Sequence, residues 1–385
     1  MVSKMKACNS NTQGPAPNAE QHSPSDALAA VDRLMRQALD HGVFPGAVLL
    51  AARGGQRLMH AAYGTANLYT QRPMTTATLF DLASLTKPLA TTLAVMLLCQ
   101  QGRLGLDQRL PSVLPAVSDS DKSDITIAQL LSHTSGLPAY RPYFQQLAPL
   151  PPNERRAHLR GLLVNEPLLH PPGAKVLYSD LDFMFLEWVV EAAAGQRLDR
   201  FLAEQVYAPL EAAPLFFVDQ NRPAPPAAYA ATEQCAWRGR LMDAEVHDEN
   251  AHVLGGVAGH AGLFGTAAAI HVVLTELLAA YHGQPPVRLF RSDVVRRFWQ
   301  PAAGADKALG FDLPAAVHPS CGRFFPPDSI GHLGFTGTSF WVHREQRVAV
   351  VLLTNRVHPS RENISIRQFR PRIHDLVMQA LLKTA

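Results

Sequence analysis

The sequence predicts an α/β (α+β) protein whose sheet domain is discontinuous, assembled from both ends of the chain and interrupted by a helical insert. Strand-like stretches lie early and late in the chain, with a helix- and proline-rich middle between them. FPGAVLLAARGGQRLMHAAYG (44–64) holds two β-like runs around Gly54-Gly55, a hairpin signal. GFTGTSFWVHREQRVAVVLLTNRV (334–357) holds two more, joined by the polar turn HREQ. Residues 25–102 and 245–385 are assigned to the α/β domain and 103–244 to the helical one.

The elements follow in chain order. Residues 1–24 are polar and read as a disordered tail. SPSDALAAVDRLMRQALDHG (23–42) has apolar residues at helical spacing, with serine available as N-cap. After the first hairpin, FDLASLTKPLATTLAVMLL (80–98) predicts a helix ending near Gln101-Gly102. ITIAQLLSHTSGLP (125–138) predicts a short helix closed by Gly136 and Pro138, and YSDLDFMFLEWVVEAAAG (178–195) a longer one ended by Gly195. NRPAPPAAYA (221–230) is a proline-rich loop. GHLGFTGTSFWVH (331–343) reads as a glycine-rich β-run, whose Gly331, Gly334 and Gly337 admit the close approach of another backbone, such as a substrate lying along a strand edge. IRQFRPRIHDLVMQALLK (366–383) predicts a closing helix.

Composition narrows the function classes. A hydrophobic fraction of 47% and a charged fraction of 17% are those of a soluble globular protein. The net charge is +3, and the 35 basic residues are scattered rather than gathered into a stripe with aromatics, which argues against nucleic acid as a partner. Cys8, Cys99, Cys235 and Cys321 are far apart and form no CxxC pair, which fits a reducing compartment. The N-terminus lacks the apolar core of a secretory leader, and no apolar run is long enough to span a bilayer. The chain therefore reads as cytoplasmic; a periplasmic protein stripped of its leader would read the same way.

Ser84 and Lys87 sit three apart at the mouth of an apolar run. Residues so spaced share a helical face, and an amine can take the proton that makes a serine hydroxyl nucleophilic, provided desolvation or a nearby positive charge keeps its pKa low. Ser84 also falls in the first turn, where free N–H groups and the helix dipole favour an oxyanion. Tyr178-Ser179-Asp180 follows a proline-glycine turn and precedes a helix. Ser179 or Asp180 can cap that helix, or Tyr178 can stand beside Lys87 as a proton relay. His247, Asp248, His252 and His260 match no metal-ligand spacing and read as organisers of a glycine-rich loop. His133 reads as a turn-stabilising residue. No Gly-x-Ser-x-Gly elbow is present.

The order Ser84-Leu85-Thr86-Lys87, Tyr178-Ser179-Asp180, His332-Leu333-Gly334 resembles the SxxK, YxN and K/H-x-G motifs of the serine β-lactamase and penicillin-binding-protein superfamily, nearest to class C β-lactamases and related esterases. LLSHTSGLP (130–138), PPGAKVLYSD (171–180) and VHDENAHVLGGVAGHAGLFGTA (246–267) also match that superfamily, and the likeness runs from about residue 27 to the end. The resemblance implies an antiparallel sheet flanked by helices, with an all-helical insert. It implies Ser84 as acylated nucleophile, Lys87 as general base and Tyr178 as proton-transfer partner. It further implies that the N–H groups of Ser84 and Phe335 form the oxyanion hole and that Asp180, His332, Gly334 and Phe335 meet the substrate. No metal or organic cofactor is implied.

Two positions depart from the motifs. His332 replaces a permanently charged lysine, and Leu333 removes a hydroxyl, so recognition of a substrate carboxylate weakens. Asp180 replaces an asparagine, losing an N–H donor; it either pairs with Lys87, raising the amine's pKa, or turns away to cap the helix. The expected activity is hydrolysis of a small ester, amide or lactam through an acyl-enzyme. The alternatives are a D,D-peptidase acting on cell-wall peptides and a catalytically weak binding member.

Overall fold

The structure, a computed structural model, describes residues 24–285, 287–302 and 307–382. The tail expected over residues 1–24 lies outside the described residues apart from Pro24, where the first helix, Pro24–Asp40, begins. Cys8 also lies outside them; Cys99, Cys235 and Cys321 are free thiols.

Eight antiparallel strands form the central sheet, in the spatial order 72–73, 56–67, 46–53, 348–354, 339–343, 330–333, 311–312, 307–308. The two central strands come from opposite ends of the sequence, with Ala47 opposite Thr354 and Arg53 opposite Val348. Both are apolar at nearly every position because both faces of the sheet are covered. Leu49, Val350 and Leu352 pack under helices Pro24–Asp40 and Ile366–Leu382, with Met35, Phe369, Ile373 and Met378. Val48, Leu50, Val351 and Leu353 face the larger core, with Ile270 and Leu274 of helix Ala267–His282. Gly54 and Gly55 both have positive φ and close the first hairpin. No helix among the described residues is long and apolar enough to cross a membrane.

Three details differ from expectation. The helix of ITIAQLL spans only Ile127–Leu131, opened by a Thr126–Gln129 capping box. It stops well before Gly136 because His133 already adopts φ 58°. Residues 331–343 form a strand, a turn and a second strand rather than one run. Their glycines make room for this protein's own atoms: a Cβ on Gly331 would strike Trp341, one on Gly334 would lie 2.7 Å from the Leu82 carbonyl, and one on Gly337 would meet Thr354. Finally, short strands occur within 103–244, at 215–217, 234–235 and 240–241. The strand 215–217 pairs with 263–265, which also pairs with 80–81. This three-stranded sheet delivers the chain to Ser84.

Candidate active site

Ser84 stands on a clamped turn. Strand Phe80–Asp81 runs into a single 3₁₀ turn, Ala83–Leu85, and then a wide turn, Lys87–Thr91, that starts the buried helix Thr92–Gln100. Ala83 is held at φ 48°, a conformation that disfavours a Cβ. Asp81 enforces it: one carboxylate oxygen accepts from the Ala83 N–H (2.8 Å), the other from the His247 N–H (2.6 Å). The Thr86 hydroxyl donates to the Ala83 carbonyl and accepts from the Leu263 N–H. Thr336 and Thr338, from the turn after strand Ile330–Leu333, donate to the carbonyls of Asp81 and Leu82.

Lys87 is fully buried and its ammonium uses all three protons. It donates to Asp180 Oδ1 at 2.7 Å, to the His260 carbonyl at 3.1 Å and to Ser84 Oγ at 3.4 Å. Burial alone would push its pKa down, but the Asp180 carboxylate outweighs burial and holds the ammonium above its usual range. The lowered pKa that a free-amine base requires is therefore not found, because Asp180 takes the pairing orientation and leaves the capping to Ser179. The Ser179 hydroxyl accepts from the Asp182 N–H at the start of helix Asp180–Ala194.

Extended backbone explains how Tyr178 and Asp180 both reach Lys87. Ser179 is in the β conformation, so its two neighbours point to the same side. Loop 133–139 pins the segment: the His133 carbonyl accepts from Leu177 and the Ala139 carbonyl from Asp180. His133 Nδ1 accepts from the Ser179 N–H at 3.1 Å, and its ring packs 4.7 Å from that of Tyr178. His133 is thus a buttress behind the site. The Lys87 ammonium lies 4.9 Å from the Tyr178 ring centroid. Burial pushes the phenol up to about 12, against the opposing pull of Lys87 and Ser84.

These groups open onto a cavity of about 350 Å³, lined by Ala83, Ser84, Tyr178, Asp180 and Phe335 together with Tyr140, His247, Asp248, Glu249, His260, Ala261 and Arg361. The N–H groups of Ser84 and Phe335 have no acceptor among the described residues. His332 and Gly334 do not line the cavity. His332 is 2% exposed, lies behind Tyr178 with ring centroids 6.1 Å apart, and engages the Leu333 carbonyl through Nδ1. Burial pushes it down to about 4, so it is neutral and out of reach of a substrate carboxylate. Gly334 acts by being small beneath Leu82.

Sequence reasoning missed Tyr140 and Arg361, which belong to no motif, and Glu249, which lies in the phrase 246–267 but has no role assigned by it. The glycine-rich loop is organised as expected. Asp248 caps helix Glu249–Val253 and pairs with His260 at 3.0 Å; His247 bonds Glu233 and His252 bonds Gln220. Arg361 is gripped by Glu233 at 2.5 Å and Glu249 at 2.7 Å.

An antiparallel sheet clad in helices, with serine, lysine and tyrosine at one cleft, defines the class: a serine hydrolase. The chain belongs to the Beta-lactamase family, whose sequence model matches residues 31–371. The protein named "Putative D-alanyl-D-alanine carboxypeptidase" of Escherichia coli (strain K12) is 32% identical, with the match covering 86% of this chain and 83% of that one. N-acetylmuramyl-L-alanine amidase of Bacillus subtilis (strain 168) is 31% identical, over 86% and 81%. Among solved structures, EstCE1, a hydrolase with promiscuous acyltransferase activity, superposes with a TM-score of 0.72 at 25% identity, over 92% of this chain and 99% of that one. The octameric penicillin-binding protein homologue from Pyrococcus abyssi shares the fold at a TM-score of 0.68 and 17% identity, over 89% and 76%.

Proposed function

We propose that the protein hydrolyses small esters or amides whose leaving-group side carries no carboxylate beside the scissile bond, through an acyl-enzyme on Ser84. Lys87 manages the serine proton and Tyr178 passes one to the leaving group. The free N–H groups of Ser84 and Phe335 receive the oxyanion, a contribution on the order of 3 kcal/mol for each donor. The observation that carries the substrate preference is the pairing of every cation on the cleft wall among the described residues. Lys87 is held by Asp180, His260 by Asp248, and Arg361 by Glu233 and Glu249. A penicillin or a peptide ending in D-alanine brings a carboxylate that would have to displace one of these partners.

The test compares short-chain p-nitrophenyl esters with nitrocefin and a D-alanyl-D-alanine peptide. The esters are expected to turn over fastest, and Ser84→Ala to abolish every activity together with the mass adduct left by a fluorophosphonate. Nitrocefin turnover equal to or above that of the esters would refute the preference. A fluorophosphonate adduct anywhere but Ser84 would refute the mechanism. The names of the Escherichia coli and Bacillus subtilis relatives favour a second reading, an amidase or carboxypeptidase of cell-wall fragments. Rapid release of D-alanine, with slow ester turnover, would select it.

A further inference from the structure

The resting cleft lacks an obvious base. Lys87 is an ammonium with its protons committed, and Tyr178 is a neutral phenol in burial that disfavours its anion. A serine hydroxyl 3.4 Å from an ammonium is a hydrogen-bond acceptor, not a proton donor. A basic group is joined to the serine through Lys87: Asp180, which accepts from Nζ at 2.7 Å.

We propose that Asp180 is the proton-accepting partner of Lys87 in a Ser84–Lys87–Asp180 relay, and that filling of the cleft by substrate sets the relay in motion. This rests on the reading of Ser84 as nucleophile and Lys87 as its base. The Lys87 side chain has no exposure, while that of Asp180 keeps 19% at the cavity wall. Only one Asp180 oxygen is engaged by the described residues, so the other depends on solvent. A substrate seated against Ser84 strips that solvent away. Dehydration makes a charged pair costlier than a neutral one, so the proton moves from Nζ to Oδ1 and leaves a free amine beside Ser84.

The steps balance. Nζ takes the Ser84 proton as the Oγ–C bond forms to the acyl carbon. The bond from that carbon to the leaving group then breaks, and the leaving group takes the Tyr178 proton. Lys87 re-protonates Tyr178, and Asp180 returns its proton to Lys87. In the second half, water gives a proton to the free Lys87 amine that Asp180 has again produced, its oxygen bonds to the acyl carbon, Ser84 leaves with a proton from Lys87, and Asp180 returns its proton to Lys87. An asparagine at 180 could accept a hydrogen bond from Lys87 but not its proton.

The decisive variant is therefore Asp180→Asn, nearly identical in shape. Ester kcat/KM should fall by about 10²-fold or more, with KM little changed, in line with a lost proton-transfer group. The acid limb of the pH profile should shift at the same time. The groups facing Asp180 are Lys87 on the nucleophile helix, Tyr178 and the buried Asp182 on its own segment, His260 and Asp248 on the glycine-rich loop, and Tyr140. The substitution leaves these side chains in place but removes the negative charge that raises Lys87, Tyr178, Asp182, His260 and Tyr140, so the shifted acid limb is read together with the fall in kcat/KM. Activity at or above wild type would show that Asp180 only restrains Lys87, and would overturn the relay. The wild-type enzyme gives a second reading should the variant fail to fold: a non-hydrolysable ester analogue seated against Ser84 should raise a protonated-carboxyl band in the difference infrared spectrum, and the absence of that band overturns the proposal. Fluorophosphonate labelling of wild-type Ser84 separates this failure from failure of the nucleophile itself.

Discussion

At the scale of single residues, Glu233 holds two side chains of the cleft wall in place without lining the cleft itself. Its carboxylate grips Arg361 and accepts from His247 Nε2 at 2.9 Å. Burial pushes its pKa up, but the hydrogen bonds from His247 and Arg361 outweigh burial and bring it down to about 2. A carboxyl depressed on folding stabilises the native state above its unfolded pKa near 4.3, and that contribution fades as pH falls towards 2. Glu233→Gln should therefore lose about 1–3 kcal/mol in urea titrations at pH 7, with Arg361 one-third exposed setting the lower figure. The gap to wild type should narrow between pH 5 and pH 2; a gap independent of pH would contradict the ion-pair account. The same variant half-frees Arg361, so nitrocefin hydrolysis should rise relative to ester hydrolysis. Glu233 could not be found from sequence, since nothing local ties residue 233 to residue 361. Ser84, Lys87 and Tyr178 were legible because their spacing and flanking phrases are local. The side Asp180 faces was settled only by the extended backbone at Ser179.

At the scale of elements, the site depends on one turn gripping another. Residues 334–338 reverse the chain between strands Ile330–Leu333 and Ser339–His343, and from there Thr336 and Thr338 hold the carbonyls of Asp81 and Leu82, just ahead of Ser84. The Gly334 N–H closes the turn on the Thr338 carbonyl at 2.7 Å. A methyl group at 334 would lie 2.0 Å from Thr338 Oγ1 and 2.7 Å from the Leu82 oxygen, a backbone atom that cannot swing aside. Gly334→Ala should cost about 1–3 kcal/mol as overpacking does, and should lower kcat as well, because Leu82 immediately precedes the strained Ala83. Thermal denaturation beside ester kinetics tests this; unchanged kcat in a destabilised protein would show that the two turns are not mechanically linked. The glycine spacing was visible in the sequence, and that the space is needed was inferred correctly. What fills it was not, since the occupant arrives from residue 82, some 250 positions away.

At the scale of the whole molecule, the first strand pairs with the last, so the sheet exists only once both ends of the chain have met. The sequence announced this through two apolar β-rich stretches and a helical middle. It did not announce how thoroughly the middle merges with the rest. Leu50 and Val351 of the sheet, Leu93 of helix Thr92–Gln100, Leu130, Phe185 and Leu202 of the middle span, and Phe264 of the glycine-rich loop belong to one continuous buried cluster. The groups of the proposed site lie along that junction: Ser84 and Lys87 come from one side, Tyr178 and Asp180 from the other. An independent helical domain would have had a polar surface at the junction, with a cleft free to open between two bodies. A shared apolar core instead ties the geometry of the cleft to the integrity of both spans. The span 103–244 should therefore not melt by itself. Differential scanning calorimetry should give one endotherm, with van't Hoff and calorimetric enthalpies in agreement. Loss of ester hydrolysis should coincide with it in temperature. Two resolved endotherms, or activity vanishing below the main transition, would show that residues 103–244 form a separately folding unit and that the Lys87–Asp180 contact is made across a hinge.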